Sequence, residues 1–317
     1  MGFLSDARWI SAALALSERT RGRTAPNPNV GCVLVKDGRV VGRGWTQPGG
    51  RPHAEAMALA EAGEKSRGAT CYVTLEPCGH VSPRGPACAE LLVAAGVARV
   101  VIALGDPDPR TNGQGVAKLR GAGLVVIERV AEDAARAAMA GFLTRQVRGR
   151  PFVTLKLATS LDGRIALPSG ESRWITGPEA RAHAHLERAR HEAILVGRRT
   201  WEVDRPRLDV RLPSLEGRAP RRLVLSSTGD LTRPSDIASL EGVDHLLVEG
   251  GAETAAGFLR EGLVDRLLLY RAPILIGSGK AALGDIGLTD LPAAHGRWRL
   301  IDTRTLGSDR LEVYASN

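Results

Sequence analysis

Pro52-His53-Ala54-Glu55 opens a stretch of helical composition (residues 53–62), and Thr74-Leu75-Glu76-Pro77-Cys78 closes a β-like run (residues 69–75). Twenty-one residues separate Glu55 from Pro77, and Cys88 lies in a second helical stretch, residues 87–95. Working outward, residues 97–104 and 125–128 read as strands. Upstream, residues 30–35 and 40–45 read as a strand pair joined by the turn Lys36-Asp37-Gly38-Arg39. Before them, Trp9, Ala13 and Leu16 recur at helical spacing behind a Ser5/Asp6 cap, which predicts a helix over 6–19. Helices alternating with strands argue for a layered α/β domain.

One imidazole and two thiolates, from His53, Cys78 and Cys88, supply three ligands to a tetrahedral Zn²⁺ and leave a fourth position for water. Zinc lowers the pKa of such a water toward ~7. Glu55, two residues past His53, sits close enough to carry protons without ligating the metal. Hydrolytic deamination needs these parts: a hydroxide nucleophile, an acid for the ring nitrogen and a proton for departing ammonia. His-x-Glu with Pro-Cys…Cys is the pattern of zinc nucleobase deaminases. A purely structural zinc would normally take four protein ligands, and His80 is the available fourth; spacing and context favour the open, catalytic site. Cys32 and Cys71 lie inside apolar β-like runs and read as small buried side chains.

At 317 residues the chain is long enough for two domains. An Ala-rich helical stretch over 131–148 ends in Arg148-Gly149-Arg150-Pro151, which predicts domains 1–148 and 149–317. The second half repeats the α/β pattern, with strands at 152–158, 193–197, 222–226, 244–249 and 264–271. Leu246-Leu247-Val248-Glu249 runs into Gly250-Gly251 and then a helix beginning at Glu253-Thr254, a turn whose free N–H groups suit a pyrophosphate. No Gly-x-Gly-x-x-Gly follows the first strand, so a standard dinucleotide fold is not expected. Asp162-Gly163 reads as a turn, and His183, His185 and His191 as packing or surface residues.

The net charge of +8 implies an anionic partner, and most of it lies in the first half: residues 1–148 hold 19 Lys and Arg against 13 Asp and Glu. With only 4% aromatic residues there is little to stack on bases, which weakens a single-stranded nucleic acid reading. All four cysteines fall in the first third, so metal or catalysis is expected of them and not a disulfide framework. The chain opens without a basic, apolar leader and holds no run of 18 apolar residues; a cytoplasmic enzyme with no membrane span is expected.

Pro26-Asn27-Pro28-Asn29-Val30-Gly31-Cys32-Val33, Pro52-His53-Ala54-Glu55, Thr74-Leu75-Glu76-Pro77-Cys78 and Asp106-Pro107-Asp108-Pro109 with Gly113-Gln114-Gly115 closely resemble the deaminase half of the bifunctional riboflavin-biosynthesis deaminase/reductases. The resemblance implies a cytidine-deaminase-like three-layer α/β/α domain acting on 2,5-diamino-6-ribosylamino-4(3H)-pyrimidinone 5′-phosphate. It implies His53, Cys78 and Cys88 as zinc ligands, Glu55 as proton shuttle and Asn27 in the pyrimidine pocket. The family usually has eight residues between the cysteines. Here there are nine, Gly79 to Ala87, and the insertion touches the placement of Arg84 near the substrate phosphate. Polynucleotide deaminases instead resemble Pro-Cys-x-x-Cys, whereas Val81 stands three residues after Cys78.

From Pro151 the chain is similar to the family's reductase half, through Phe152-Val153-Thr154-Leu155-Lys156-Leu157-Ala158-Thr159-Ser160-Leu161-Asp162-Gly163-Arg164 and Gly170-Glu171-Ser172-Arg173-Trp174-Ile175-Thr176. That likeness implies a dihydrofolate-reductase-like α/β domain that uses NADPH to reduce the ribosyl group of 5-amino-6-(5-phosphoribosylamino)uracil to ribityl. By residue-wise carry-over, Ala158, Trp174, Thr200, Asp204, Ser227, Gly251, Ala252, Glu253, Thr254, Ala255, Ala256 and Gly257 contact NADPH. Ser172, Arg188, Leu208, Arg211 and Glu249 contact substrate, and the guanidinium forks of Arg188 and Arg211 suit a phosphate. Two departures stand out: Arg205 where the family often has Asp, and Asp209 where it has Thr. The resemblance also implies pairing through the reductase halves. The competing readings are a nucleic-acid or nucleoside deaminase with an inactive or accessory C-terminal domain, and a zinc-stabilised binding module.

Overall fold

The computed structural model describes residues 3–80 and 85–317, with side chains from Asp6 onward. The chain folds as two units, Met1–Arg148 and Gly149–Asn317.

The first unit runs α1 (Phe3–Ser17), β1 (Gly31–Lys36), β2 (Arg39–Trp45), α2 (Ala54–Ala62), β3 (Thr70–Val73), α3 (Cys88–Ala94), β4 (Arg99–Ile102), α4 (Gln114–Gly121), β5 (Val125–Ile127), α5 (Glu132–Ala138) and α6 (Ala140–Arg148). The sheet order is β2-β1-β3-β4-β5, with β1 antiparallel to both β2 and β3 and the rest parallel. A Cβ on Gly31 would lie 1.8 Å from the Ala13 carbonyl of α1, and one on Gly44 would lie 1.9 Å from the Ala54 carbonyl of α2. Gly44 pairs with Cys32, the neighbour of Gly31, so α1 and α2 cover opposite faces of the sheet. The Ala-rich stretch over 131–148 is two helices. They break at Met139 (φ −107°, ψ 21°), which leaves the helical region while its side chain is fully buried.

In the second unit come β6 (Phe152–Thr159), β7 (Arg164–Ala166), α7 (Pro178–Ala189), β8 (Ala193–Gly197), α8 (Arg198–Asp204), β9 (Arg221–Leu225), β10 (His245–Val248), α9 (Ala252–Arg260), β11 (Arg266–Arg271), β12 (Lys280–Ala281), β13 (Trp298–Leu306) and β14 (Asp309–Ser316). Seven strands form one sheet in the order β13-β14-β11-β6-β10-β8-β9, antiparallel at the β13-β14-β11 end and parallel elsewhere. β8 reads Ala-Ile-Leu-Val-Gly and is buried throughout. Leu195 joins a core with Leu246 and Phe258, while Ile194 and Val196 join one with Leu208 and Leu247. That is the pattern of a parallel strand covered on both faces. α8 follows the carboxyl end of β8, and α9 that of the adjacent β10, which is where open α/β sheets bind ligands. Among the described residues no helix is long and apolar enough to cross a membrane.

Candidate active sites

His53 is the residue before the first turn of α2, in extended backbone, and its side chain makes no capping bond. The ring therefore turns away from the helix: Nδ1 lies 3.2 Å from Cys88 Sγ and 3.7 Å from Cys78 Sγ. Cys78 arrives on the segment leaving β3, which Thr74 ties to Gly31 and Glu76 ties to the Leu104 carbonyl. Cys88 opens α3 and donates its backbone N–H to Cys78 Sγ at 3.2 Å. The ligand atoms of these three residues all lie within 4.8 Å of one another, and among the described residues they form the only such cluster. Two sulfurs and one ring nitrogen, converging from three elements, fit tetrahedral zinc with one position left over. Hydrogen bonds from Cys88 and then His53 hold the Cys78 thiol below its usual range, the direction a metal-binding thiolate needs.

His80 is not part of the cluster; its Nδ1 faces Thr111 Oγ1 at 3.3 Å. Cys32 and Cys71 are fully buried in β1 and β3 with their sulfurs 3.5 Å apart, and the Cys71 partner and burial push the Cys32 thiol up. Glu55 sits in the first turn of α2 and is 4% exposed; burial pushes its carboxyl up to about 7. The Asn27 amide lies 3.1 Å from both the Gly50 carbonyl and His53 Nε2, so it fixes the plane of the ligand ring. Arg84 and Val81 lie outside the described residues.

Sequence reasoning assigned no role to Glu76, which is buried. Its carboxylate accepts backbone N–H groups from Gly113 (3.0 Å), Val116 (3.1 Å) and Asp106 (3.5 Å), pinning the 106–116 connection beside Cys78. Burial also raises the Asp106 carboxyl to about 6.

In the second unit Arg188 of α7 grips Glu249, at the end of β10, through Nε (2.7 Å) and NH2 (2.9 Å). Lys156 of β6 approaches the same carboxylate at 3.6 Å. Burial alone would raise the Glu249 pKa; the Lys156 and Arg188 charges outweigh it and hold it at about 2. Arg188 also reaches the Asp209 carbonyl at 3.0 Å. Arg211 is half exposed nearby. Leu208 has φ +49° and is 3% exposed, its side chain in the core with Ile194 and Val196.

Gly251 precedes α9, which starts one residue past it. Ala252, Ala255 and Ala256 are buried against the sheet, leaving the backbone of the first turn and the side chains of Glu253 and Thr254 on the accessible side. Trp174 is 63% exposed, with the Arg181 guanidinium 4.8 Å from its ring centroid. Arg173 ties its own segment to the Asp204 carbonyl at 2.6 Å. Ala158, Ser172 and Thr200 are half-buried, and Ser227 is exposed. His183 bonds the Tyr270 hydroxyl at 2.8 Å and His191 is buried in contact with Thr154, so both are packing residues.

Two family models match the chain. Residues 5–104 match the cytidine and deoxycytidylate deaminase zinc-binding region, and residues 151–241 and 236–311 match the RibD C-terminal domain. The riboflavin biosynthesis protein RibD of Escherichia coli is 38% identical over 361 residues, covering 96% of this chain and 98% of its own. That of Aquifex aeolicus is 38% identical over 90% of this chain and 92% of its own. Among solved structures, Acinetobacter baumannii RibD (form 1) superposes with a TM-score of 0.86 at 36% identity over 100% of both chains. A Thermotoga maritima diaminohydroxyphosphoribosylaminopyrimidine deaminase/5-amino-6-(5-phosphoribosylamino)uracil reductase superposes with a TM-score of 0.90 at 31% identity over 99% of both.

Proposed function

Because the chain belongs to the RibD family of riboflavin-biosynthesis deaminase/reductases, we propose that residues 1–148 carry the deamination and residues 149–317 the reduction, each on the residues described above. The protein is a bifunctional enzyme with zinc and NADPH as cofactors. It hydrolytically deaminates 2,5-diamino-6-ribosylamino-4(3H)-pyrimidinone 5′-phosphate and reduces the ribosyl group of the product to ribityl.

The observation that carries this reading is the cluster of His53, Cys78 and Cys88 beside the buried Glu55. Bound there, zinc supplies a Lewis acid that makes water nucleophilic near neutral pH. Glu55 takes a proton from the attacking water and returns it to the ring nitrogen, then assists the loss of ammonia. Its buried position suits both directions of transfer, since a carboxyl near neutrality is neither always charged nor always protonated. Asn27 holds the ligand ring on one side and borders the pyrimidine on the other.

In the second unit NADPH supplies the hydride that reduces C1 of the ribose. Gly251 and the start of α9, as far as Gly257, would hold the cofactor's phosphates, and Ala158, Trp174, Thr200, Asp204 and Ser227 would hold the rest. Substrate lies against Ser172, the Leu208 backbone, Arg188, Glu249 and Arg211, whose guanidinium takes the phosphate. A pairing of two chains through their reductase units accompanies this reading. It is supported by the edge strand β13, which carries Leu300 and Ile301 about half exposed (50% and 47%). A cytoplasmic location belongs to the same reading.

The test is incubation of the zinc-loaded protein with the diaminopyrimidine ribosyl phosphate, with and without NADPH. Ammonia should be released in both arms, and NADPH absorbance should fall only after release begins. NADPH consumption without ammonia, or ammonia release undiminished by H53A, would overturn the division of labour.

A further inference from the structure

Asp209 lies between the two residues whose guanidiniums suit a phosphate, and it is bonded toward both. Its carbonyl accepts Arg188 NH1 at 3.0 Å and faces His185 Nδ1, also at 3.0 Å. Its carboxylate is only 16% exposed, with Oδ2 3.0 Å from Arg207 Nε and Oδ1 3.5 Å from Arg211 Nε. Oδ1 is buried and makes no hydrogen bond of normal length, so the Arg211 charge is what compensates it. His185 Nε2 lies 3.3 Å from Arg211 Nε, while its Nδ1 lies 3.0 Å from the Asp209 carbonyl and 3.3 Å from the Arg211 backbone N–H; in either tautomer the neutral ring accepts one N–H from Arg211. Burial, with Arg188 beside it, lowers the His185 pKa and keeps the ring neutral for that role.

The Arg211 Nε, with its single hydrogen, therefore lies between His185 Nε2 at 3.3 Å and the charge of the Asp209 carboxylate at 3.5 Å. The two terminal nitrogens of Arg211 make no hydrogen bond among the described residues, on a side chain that is 51% exposed. An oxyanion approaching that outer edge meets a fork already held in plane and need not displace Asp209. The entropy of ordering a long flexible side chain is met before substrate arrives. Arg207 shares the same carboxylate, so the group of three keeps a net positive charge toward a dianionic phosphate.

We propose that Asp209 is a positioning residue of the reductase half, holding Arg211 by its Nε so that the terminal nitrogens are presented to the substrate phosphate. This rests on the reading that Arg211 binds that phosphate. The experiment is a double-mutant cycle in the full-length protein: D209N, R211A and D209N/R211A, assayed for NADPH oxidation with 5-amino-6-(5-phosphoribosylamino)uracil. D209N should raise the KM for this substrate on the order of tenfold, with kcat and the KM for NADPH within about twofold of the parent. R211A should raise it at least as much, and the double variant should match R211A alone, because Asp209 acts only through Arg211. D209T serves as a second variant and should behave as D209N does. An unchanged KM in R211A would remove the phosphate assignment and this inference with it. A large effect of R211A with none from D209N, or effects that multiply in the double variant, would overturn the inference alone. So would a KM for NADPH rising in parallel with the substrate's in both D209N and D209T, since that is the mark of a general scaffold role.

Discussion

The carboxylate of Glu76 accepts the backbone N–H of Val116 at 3.1 Å, capping a helix whose sequence begins 38 residues later. α4 has only Gly113 before its first turn, which offers no side-chain oxygen, so its free N–H groups need an acceptor from elsewhere. Glu76 provides it and, by the same bonds, joins α4 to the segment that carries Cys78.

Removing that acceptor should cost the first unit stability. E76A leaves the buried N–H of Val116 without a partner, at about 1–3 kcal/mol, and frees the part-buried N–H groups of Gly113 and Asp106 as well. The expected outcome is a protein that retains zinc poorly and releases little ammonia, while reduction of the deaminated substrate by NADPH persists. Parent-like zinc content by elemental analysis would show that Glu76 does not hold the site together.

Glu55→Gln separates proton transfer from metal binding. The amide fills the same buried space beside Cys88 and His53 but cannot take up and release a proton. Zinc content should stay at one per chain, and deamination should fall by roughly 10²–10⁴-fold. Ammonia release within a few-fold of the parent would remove Glu55 from the reaction.

Gly115 fails for a different reason. Its α-carbon faces the Pro77 carbonyl so closely that a Cβ would lie 1.9 Å from the oxygen. Neither backbone can move without shifting Cys78, one residue on. G115A should therefore lower both zinc affinity and the thermal stability of the first unit, by more than the small gain of replacing a helical glycine. A stability equal to the parent's would mean that the loop adjusts.

The sequence made the zinc centre legible because its donor types are rare and their spacing is restrictive: four cysteines in 317 residues, one of them in a Pro-Cys that follows a His-x-Glu and another ten residues after that. It made the Gly250-Gly251 turn legible too, since strand, paired glycines and helix are contiguous, although the helix starts at Ala252 and not at Glu253. Glu76 was not legible, because its partners are backbone groups and carry no side-chain signature. Nor was the β13–β14 hairpin. Trp-Arg-Leu-Ile-Asp-Thr-Arg-Thr-Leu lacks clean alternation because β13 is an edge strand with a register shift between Leu300 and Asp302. The break at Met139 has no clear signal in the sequence, since Ala137, Ala138 and Ala140 beside it favour helix, and it coincides with full burial of the Met139 side chain. Likeness gives Leu208 as a substrate contact, and that its side chain lies in the core, leaving the backbone for such a contact, is something only the fold reveals.

The Arg188–Glu249 pair contributes to the acid sensitivity of the second unit. Glu249 has a folded pKa of about 2 against an ordinary 4.5, so the stability it contributes is fully present above about 4.5 and is lost as pH falls toward 2. R188M leaves the buried carboxylate with Lys156 alone, 3.6 Å away, and should cost about 3–5 kcal/mol at pH 7. Losing that partner raises the Glu249 pKa, so the variant should lose less further stability on acidification than the parent does. The double variant R188M/E249M removes both charges together and should recover much of the loss at pH 7, because the penalty lies in the unpaired ion and not in the missing bond. Thermal unfolding across pH 3 to 8 checks all three statements. A melting temperature for R188M equal to the parent's at pH 7 would show that Lys156 suffices to neutralise Glu249 and that Arg188 is there for substrate alone.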